Sequence, residues 1–300
     1  MTAALFALSL AATGLMVAGV GAATDDAHRQ EVELWRAKHE ADYRKEYVNL
    51  AGLFPLKPGV NAVGSAPSND IVLPKSTPAM AGRFVLEGDR VRFEPHAGVT
   101  VTLKGKPLAG PLELKHDEAK DGPDEIEVNG VGLWVHLSGP RRTIRMRDDH
   151  GEVARSFVGF QWFPVDDKYR VTGRLIKDQK PRQVNIPNQL GDDQVFTTEG
   201  VVEFTLDGQT VRLRAMTTRP NRLYFIFRDG TSGKETYETA RFLYADLRSD
   251  GTTTLDFNEA YNPPCAFNPF TTCPLPPVEN RLKVRIPAGE KAYANHKSQP

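Results

Sequence analysis

The chain has 300 residues, 38 Lys and Arg against 38 Asp and Glu, no net charge and an apolar fraction of 40%. That length buries one large core or two ordinary ones. A zero balance argues against a sequence-independent hold on nucleic acid or anionic lipid, since both need a basic excess.

Met1 to Ala23 contains no charged residue, and Ala3 to Val20 is an almost continuous apolar run. Residues 1–23 read as a secretory signal, with Gly21, Ala22 and Ala23 fitting a small-residue cleavage site, or as an uncleaved anchor, because no basic residue precedes the run. Either reading expects a periplasmic or secreted protein that meets a membrane only through this segment. Cysteine use agrees: Cys265 and Cys273 stand eight positions apart in a proline-rich loop, and an oxidising compartment predicts a disulfide between them. No His lies within 20 residues of either, too few N and S ligands for zinc, so neither metal nor cofactor is expected.

Over residues 29–50, Val32, Trp35, His39, Tyr43, Tyr47 and Leu50 recur at steps of three and four, which predicts an amphipathic helix with Glu40 and Arg44 paired along it. The period then changes to two. Arg83 to Leu86, Arg90 to Phe93, Val99 to Leu103, Leu133 to Leu137 and Thr143 to Arg147 read as short strands of a sandwich or barrel. Val158 to Phe163, Tyr169 to Ile176, Val201 to Leu206, Thr210 to Met216 and Leu223 to Arg228 repeat the pattern, punctuated by Asp207-Gly208, Asp229-Gly230 and Asp250-Gly251. The polar stretch Asp148 to Gly151 marks a boundary between a β domain over 51–150 and a second over 151–295. The fold class is therefore mainly β, with one N-terminal helix and two β domains, the second an antiparallel sandwich or barrel.

Pro58 to Pro74, reading PGVNAVGSAPSNDIVLP, resembles the entry to a forkhead-associated domain, where a Gly-rich turn and Asn-Asp-Ile-x-Leu lead into an eleven-strand sandwich. The resemblance extends through Lys104-Gly105-Lys106 to about residue 147. It does not carry the family's phosphothreonine reader: Ser65 replaces the Arg, Pro78 to Phe84 lacks a Ser-x-x-His, and Lys104-Gly105 replaces Asn-Gly.

The C-terminal third contains longer motifs. Asp229-Gly-Thr-Ser-Gly-Lys-Glu-Thr-Tyr237, Arg241-Phe-Leu243, Asp256 to Phe267, Thr272 to Leu282 and Ala288-Gly-Glu-Lys291 resemble the bacterial domain-of-unknown-function family numbered sixteen eighty-four, from about residue 30 to 293. Membership implies no activity, so these residues are read physically.

In the predicted strand Thr252 to Asn258, Asp256 and Asn258 share one face, and Leu255 and Phe257 the other. Ala260 to Pro277 then packs six prolines, two cysteines and three aromatics into eighteen residues without periodicity, and Asn262-Pro263-Pro264 is open to a cis peptide. One reading makes this a ligand pocket: Arg241 or Arg281 holds an acidic group, Asp256 and Glu235 accept hydrogen bonds, Tyr237 and Tyr261 offer stacking faces, and Asn258, Asn262 and Glu279 complete the rim. The other gives the same side chains to the loop backbone, whose carbonyls need donors that proline cannot supply. Glycine-rich phosphate loops, nucleophile elbows and His-Glu-x-x-His are absent from the sequence. Two functions follow: an exported protein that binds a small-molecule, polymer or protein ligand without turning it over, or a hydrolase using Asp256 and Glu235 as an acid/base pair.

Overall fold

The structure, a computed structural model, describes residues 20–189 and 191–294; residues 1–19 of the segment read as signal or anchor lie outside the described residues. The helix α1 (Val20–Tyr43) passes into a π-helical turn (Arg44–Val48), so it starts earlier than the periodicity predicts and ends before Leu50, which enters a strand. Among the described residues no helix is long and apolar enough to cross a membrane.

Eleven strands follow: β1 (Leu50–Pro55), β2 (Gly59–Gly64), β3 (Ile71–Val72), β4 (Gly82–Glu87), β5 (Arg90–Pro95), β6 (Thr102–Leu103), β7 (Lys106–Pro107), β8 (Leu112–Glu113), β9 (Ile126–Val128), β10 (Val131–Ser138) and β11 (Arg141–Arg147). They form two sheets, ordered β1-β11-β10-β9-β6-β7 and β3-β2-β4-β5-β8. Alternation along β4, β5 and β10 turns Phe84, Phe93, Leu133 and Val135 into the shared core with Ile126 and Ile144. Asn69 and Asp70 serve this architecture: the Asn69 amide donates to Ala66 O and Ala79 O, and Asp70 accepts from the Ala62 N–H.

After α2 (Glu152–Ser156) come β12 (Arg170–Pro187), β13 (Asp193–Leu206), β14 (Gln209–Arg219), β15 (Arg222–Phe227), β16 (Arg241–Asp246) and β17 (Thr252–Asp256). All pairings in their sheet, ordered β16-β15-β14-β13-β12-β17, are antiparallel, and a bridge from Leu247 to Thr253 brings its two edges together into a nearly closed barrel. Val202, Leu213, Phe225, Leu243, Leu255 and Phe257 fill it. Asp207 (φ 51°) and Gly208 (φ 72°) make the tight β13–β14 hairpin their sequence predicts.

Three expectations are corrected. Val158 to Phe163 is not a strand: only Trp162 pairs, in an isolated bridge to Glu290, because the aromatics of this stretch pack against α1. β12 and β13 run well past the predicted Ile176 and Val201, and their hairpin reaches the first β region, where Asp192 accepts from Ser138 Oγ at 3.0 Å and pairs with Arg141. The strand expected through Asn258 stops at Asp256, since Asp256 accepts the Asn258 N–H and turns the chain into a 3-10 turn.

Candidate functional site

Residues 260–277 cover the outer face of the barrel beside α1. No cis peptide bond occurs among the described residues. The loop is held by asparagines. Asn258 exchanges hydrogen bonds with the Asp166 backbone, Asn268 donates to Tyr47 O and Leu50 O, and fully buried Asn280 donates to Arg214 O and Ile226 O while accepting from the Arg214 N–H. Each supplies hydrogen-bond partners to backbone groups of neighbouring segments. The expected disulfide is not formed: Cys265 and Cys273 are buried free thiols, with the Cys265 N–H donating to Cys273 Sγ at 3.4 Å. Their surroundings are Tyr237, Ala266 and Phe267, and burial pushes the Cys273 thiol well up, away from the thiolate that exchange requires.

Several predicted ligand residues are built into the fold. Arg241 is fully buried and spends its guanidinium on Asp229 Oδ2, Ile286 O and Ala288 O. Asn262 donates from its backbone and its amide to Glu290, a fully buried carboxyl that desolvation raises to about 8. Tyr237 and Tyr261 are buried in the aromatic layer between α1 and the barrel, so neither presents a stacking face. Glu235 is bonded to Arg285, and Glu279 to Arg214, itself shared with Asp178.

Arg281 is different. It is exposed, and with Arg228, Glu238, Thr239, Leu275 and Pro276 it lines a cleft of about 300 Å³. The placement follows from local chain geometry. Arg228 leaves the end of β15 with its N–H on Asn280 O and its carbonyl on the Leu282 N–H, which holds it beside Arg281. Leu275 and Pro276 add apolar lining, fixed by the Leu275 N–H on Pro187 O. The loop ahead of β16 supplies Glu238 and Thr239. Two guanidinium groups and one carboxylate line the cleft, and among the described residues neither Arg228 nor Arg281 forms an ion pair; the carboxylates nearest them in sequence, Asp229 and Glu279, are already committed to Arg241 and Arg214. Sequence reasoning found Arg281 alone. The signal for the rest was alternation: Arg228 and Glu238 adjoin Asp229 and Tyr237, which turn inward.

A second polar cluster joins residues far apart in sequence. Asp256 accepts from His28 Nε2 at 2.6 Å and from the Asn258 backbone and amide, and Arg170 Nε lies 3.9 Å from it. The carboxyl that Asp256 perturbs is Glu259, raised to about 7 first by burial and then by the Asp256 charge. The carboxyl beside Asp256 is thus Glu259, while Glu235 is held elsewhere by Arg285. Among the described residues no group of three or more His, Cys, Asp and Glu has metal-binding geometry.

Residues 155–291 match the family model described as Protein of unknown function (DUF1684), a narrower stretch than the motifs suggest, leaving α1 and the first β region outside it. A solution NMR structure of an uncharacterized protein from gene locus rrnAC0354 of Haloarcula marismortui is 32% identical, over 48% of this chain and 82% of that one, with a TM-score of 0.41. A search of curated proteins finds no match.

Proposed function

Since the chain belongs to DUF1684, a family of proteins of unknown function, we propose a role from its own residues: it binds a small anionic ligand, without turning it over, in the cleft between Arg228 and Arg281. The observation that carries this reading is the pair of arginines on one cleft with no ion-pair partner among the described residues. Paired arginines suit the planar, bidentate recognition of carboxylate or phosphate oxygens. Glu238 and Thr239 add acceptors for a hydroxyl or amine on the same ligand, and the volume fits a small molecule. Binding is preferred to hydrolysis because Asp256, the proposed acid/base residue, has both oxygens occupied by His28 and Asn258. With the apolar run Ala3 to Val20 read as an export or anchor segment, this binding takes place outside the cytoplasm.

The test is a thermal-shift series at constant ionic strength with inorganic phosphate, sulfate and citrate against chloride. A ligand that binds only the folded state raises the melting temperature with concentration. At least one oxyanion is expected to do so beyond chloride; no rise with any of them contradicts the proposal.

A further inference from the structure

One side chain fastens the start of α1 to the barrel. His28, 6% exposed, places Nε2 2.6 Å from Asp256 Oδ2 at the end of β17 and Nδ1 on Asp167 Oδ1 in the turn ahead of β12. A neutral imidazole has a single N–H, so hydrogen bonds to carboxylates from both ring nitrogens require the imidazolium. On losing its proton the ring sets a lone pair against one of the two carboxylates, and the bond there becomes a repulsion.

We propose that His28 is a pH-operated latch that, when protonated, clamps the first turns of α1 to the barrel through Asp167 and Asp256, and when deprotonated releases them. The proposal is independent of the anion cleft. Release is confined to the turns before Arg36, because further along Arg36 donates to Phe163 O and Asn258 O, and Trp35, His39 and Tyr43 lie in the aromatic layer.

The surrounding charges set the direction. On α1 these are Glu33 and Arg36, on β12 Arg170, on β15 Arg222, in the turn ahead of β12 Asp167, and at the end of β17 and the turn after it Asp256 and Glu259. Arg170 leaves Asp256 with a counter-ion when His28 turns neutral. Hydrogen bonds to Asp256 and Asp167 outweigh burial and raise His28 above 6.5; burial raises Glu259 from 4.5 to about 7. Both groups hold their protons more tightly docked than released, so docking is strongest at low pH and weakens as pH climbs through their docked values.

The test is hydrogen exchange by mass spectrometry on the full chain from about pH 5.5 to about pH 8.5, corrected for intrinsic exchange rates. The opening equilibrium of residues 26–33 is expected to rise about tenfold or more across that range while β13 and β14 change less, a tenfold change corresponding to one pKa unit. His28→Gln is expected to remove the part of the rise that His28 contributes, leaving only the part that Glu259 contributes. Asp167→Asn, at a half-exposed position, is expected to move it to lower pH. A rise that persists unchanged in His28→Gln, an unmoved transition in Asp167→Asn, or equal opening of the barrel strands overturns the latch. Should His28→Gln fail to fold, the Asp167→Asn transition decides alone.

Discussion

Arg241 Nη1 lies 2.6 Å from Asp229 Oδ2, and neither side chain has exposed surface. The pair spans the entry to β16 and the loop that follows β15. Asp229 Oδ1 also accepts from the Thr231 backbone and hydroxyl, so the ion pair and the turn are one network. Removing one partner strands the other charge in a site without exposed surface. Asp229→Ala should therefore cost about 3–5 kcal/mol in urea unfolding; a loss below about 1 kcal/mol would mean that water reaches the site.

Glu290 gives the barrel region a pH signature. Burial raises its carboxyl from 4.5 to about 8, against the Asn262 hydrogen bonds that favour the charged form. The folded state thus binds the proton more tightly than the unfolded chain. Its contribution is fully present below pH 4.5 and is lost as pH rises to about 8. Glu290→Gln, which mimics the protonated group, should flatten this part of the stability curve and compare best with the wild type near pH 8. Urea midpoints across the window check it; equal slopes in the two proteins would contradict it.

Gly289 has φ 78°, and a Cβ there would stand 2.3 Å from Ala260 O and 2.7 Å from Phe257 O. Both the left-handed backbone and the overlap penalise any side chain. Gly289→Ala should lose more than about 2 kcal/mol, whereas Gly208→Ala, also left-handed but facing open space, should lose only about 1 kcal/mol. Thermal melts of the two variants side by side decide the point, and equal losses would refute the steric account.

Strands whose alternation feeds one core were legible, β4, β5, β14 and β15 among them, because burial on one face writes a period of two into the sequence. The aromatic stretch at Phe157, Phe160 and Trp162 was not, since a short apolar run reads alike whether it pairs in a sheet or packs on a helix. Glu290 was also hidden. Its Ala-Gly-Glu-Lys setting looks like a solvated turn, and only Asn262, 28 positions earlier, shows that it is interior. His28 and Asp256, 228 positions apart, have no shared local signal. The Asn and Pro motifs leave two outcomes open in the sequence, and their hydrogen bonds tie Asn258, Asn262 and Asn280 into the architecture. What they leave exposed, Arg281, is the predicted residue that lines the cleft.

Isothermal calorimetry of inorganic phosphate at low ionic strength, on the wild type and on Arg228→Gln and Arg281→Gln, tests the anion cleft most directly. Each arginine contributes a charge-assisted hydrogen bond, so each variant should bind phosphate about tenfold or more weakly while keeping the wild-type melting temperature without phosphate. Glu238→Gln, which removes the opposing carboxylate, should bind at least as tightly as the wild type. Wild-type affinity in both arginine variants, or no binding heat in any of these proteins, would contradict the account.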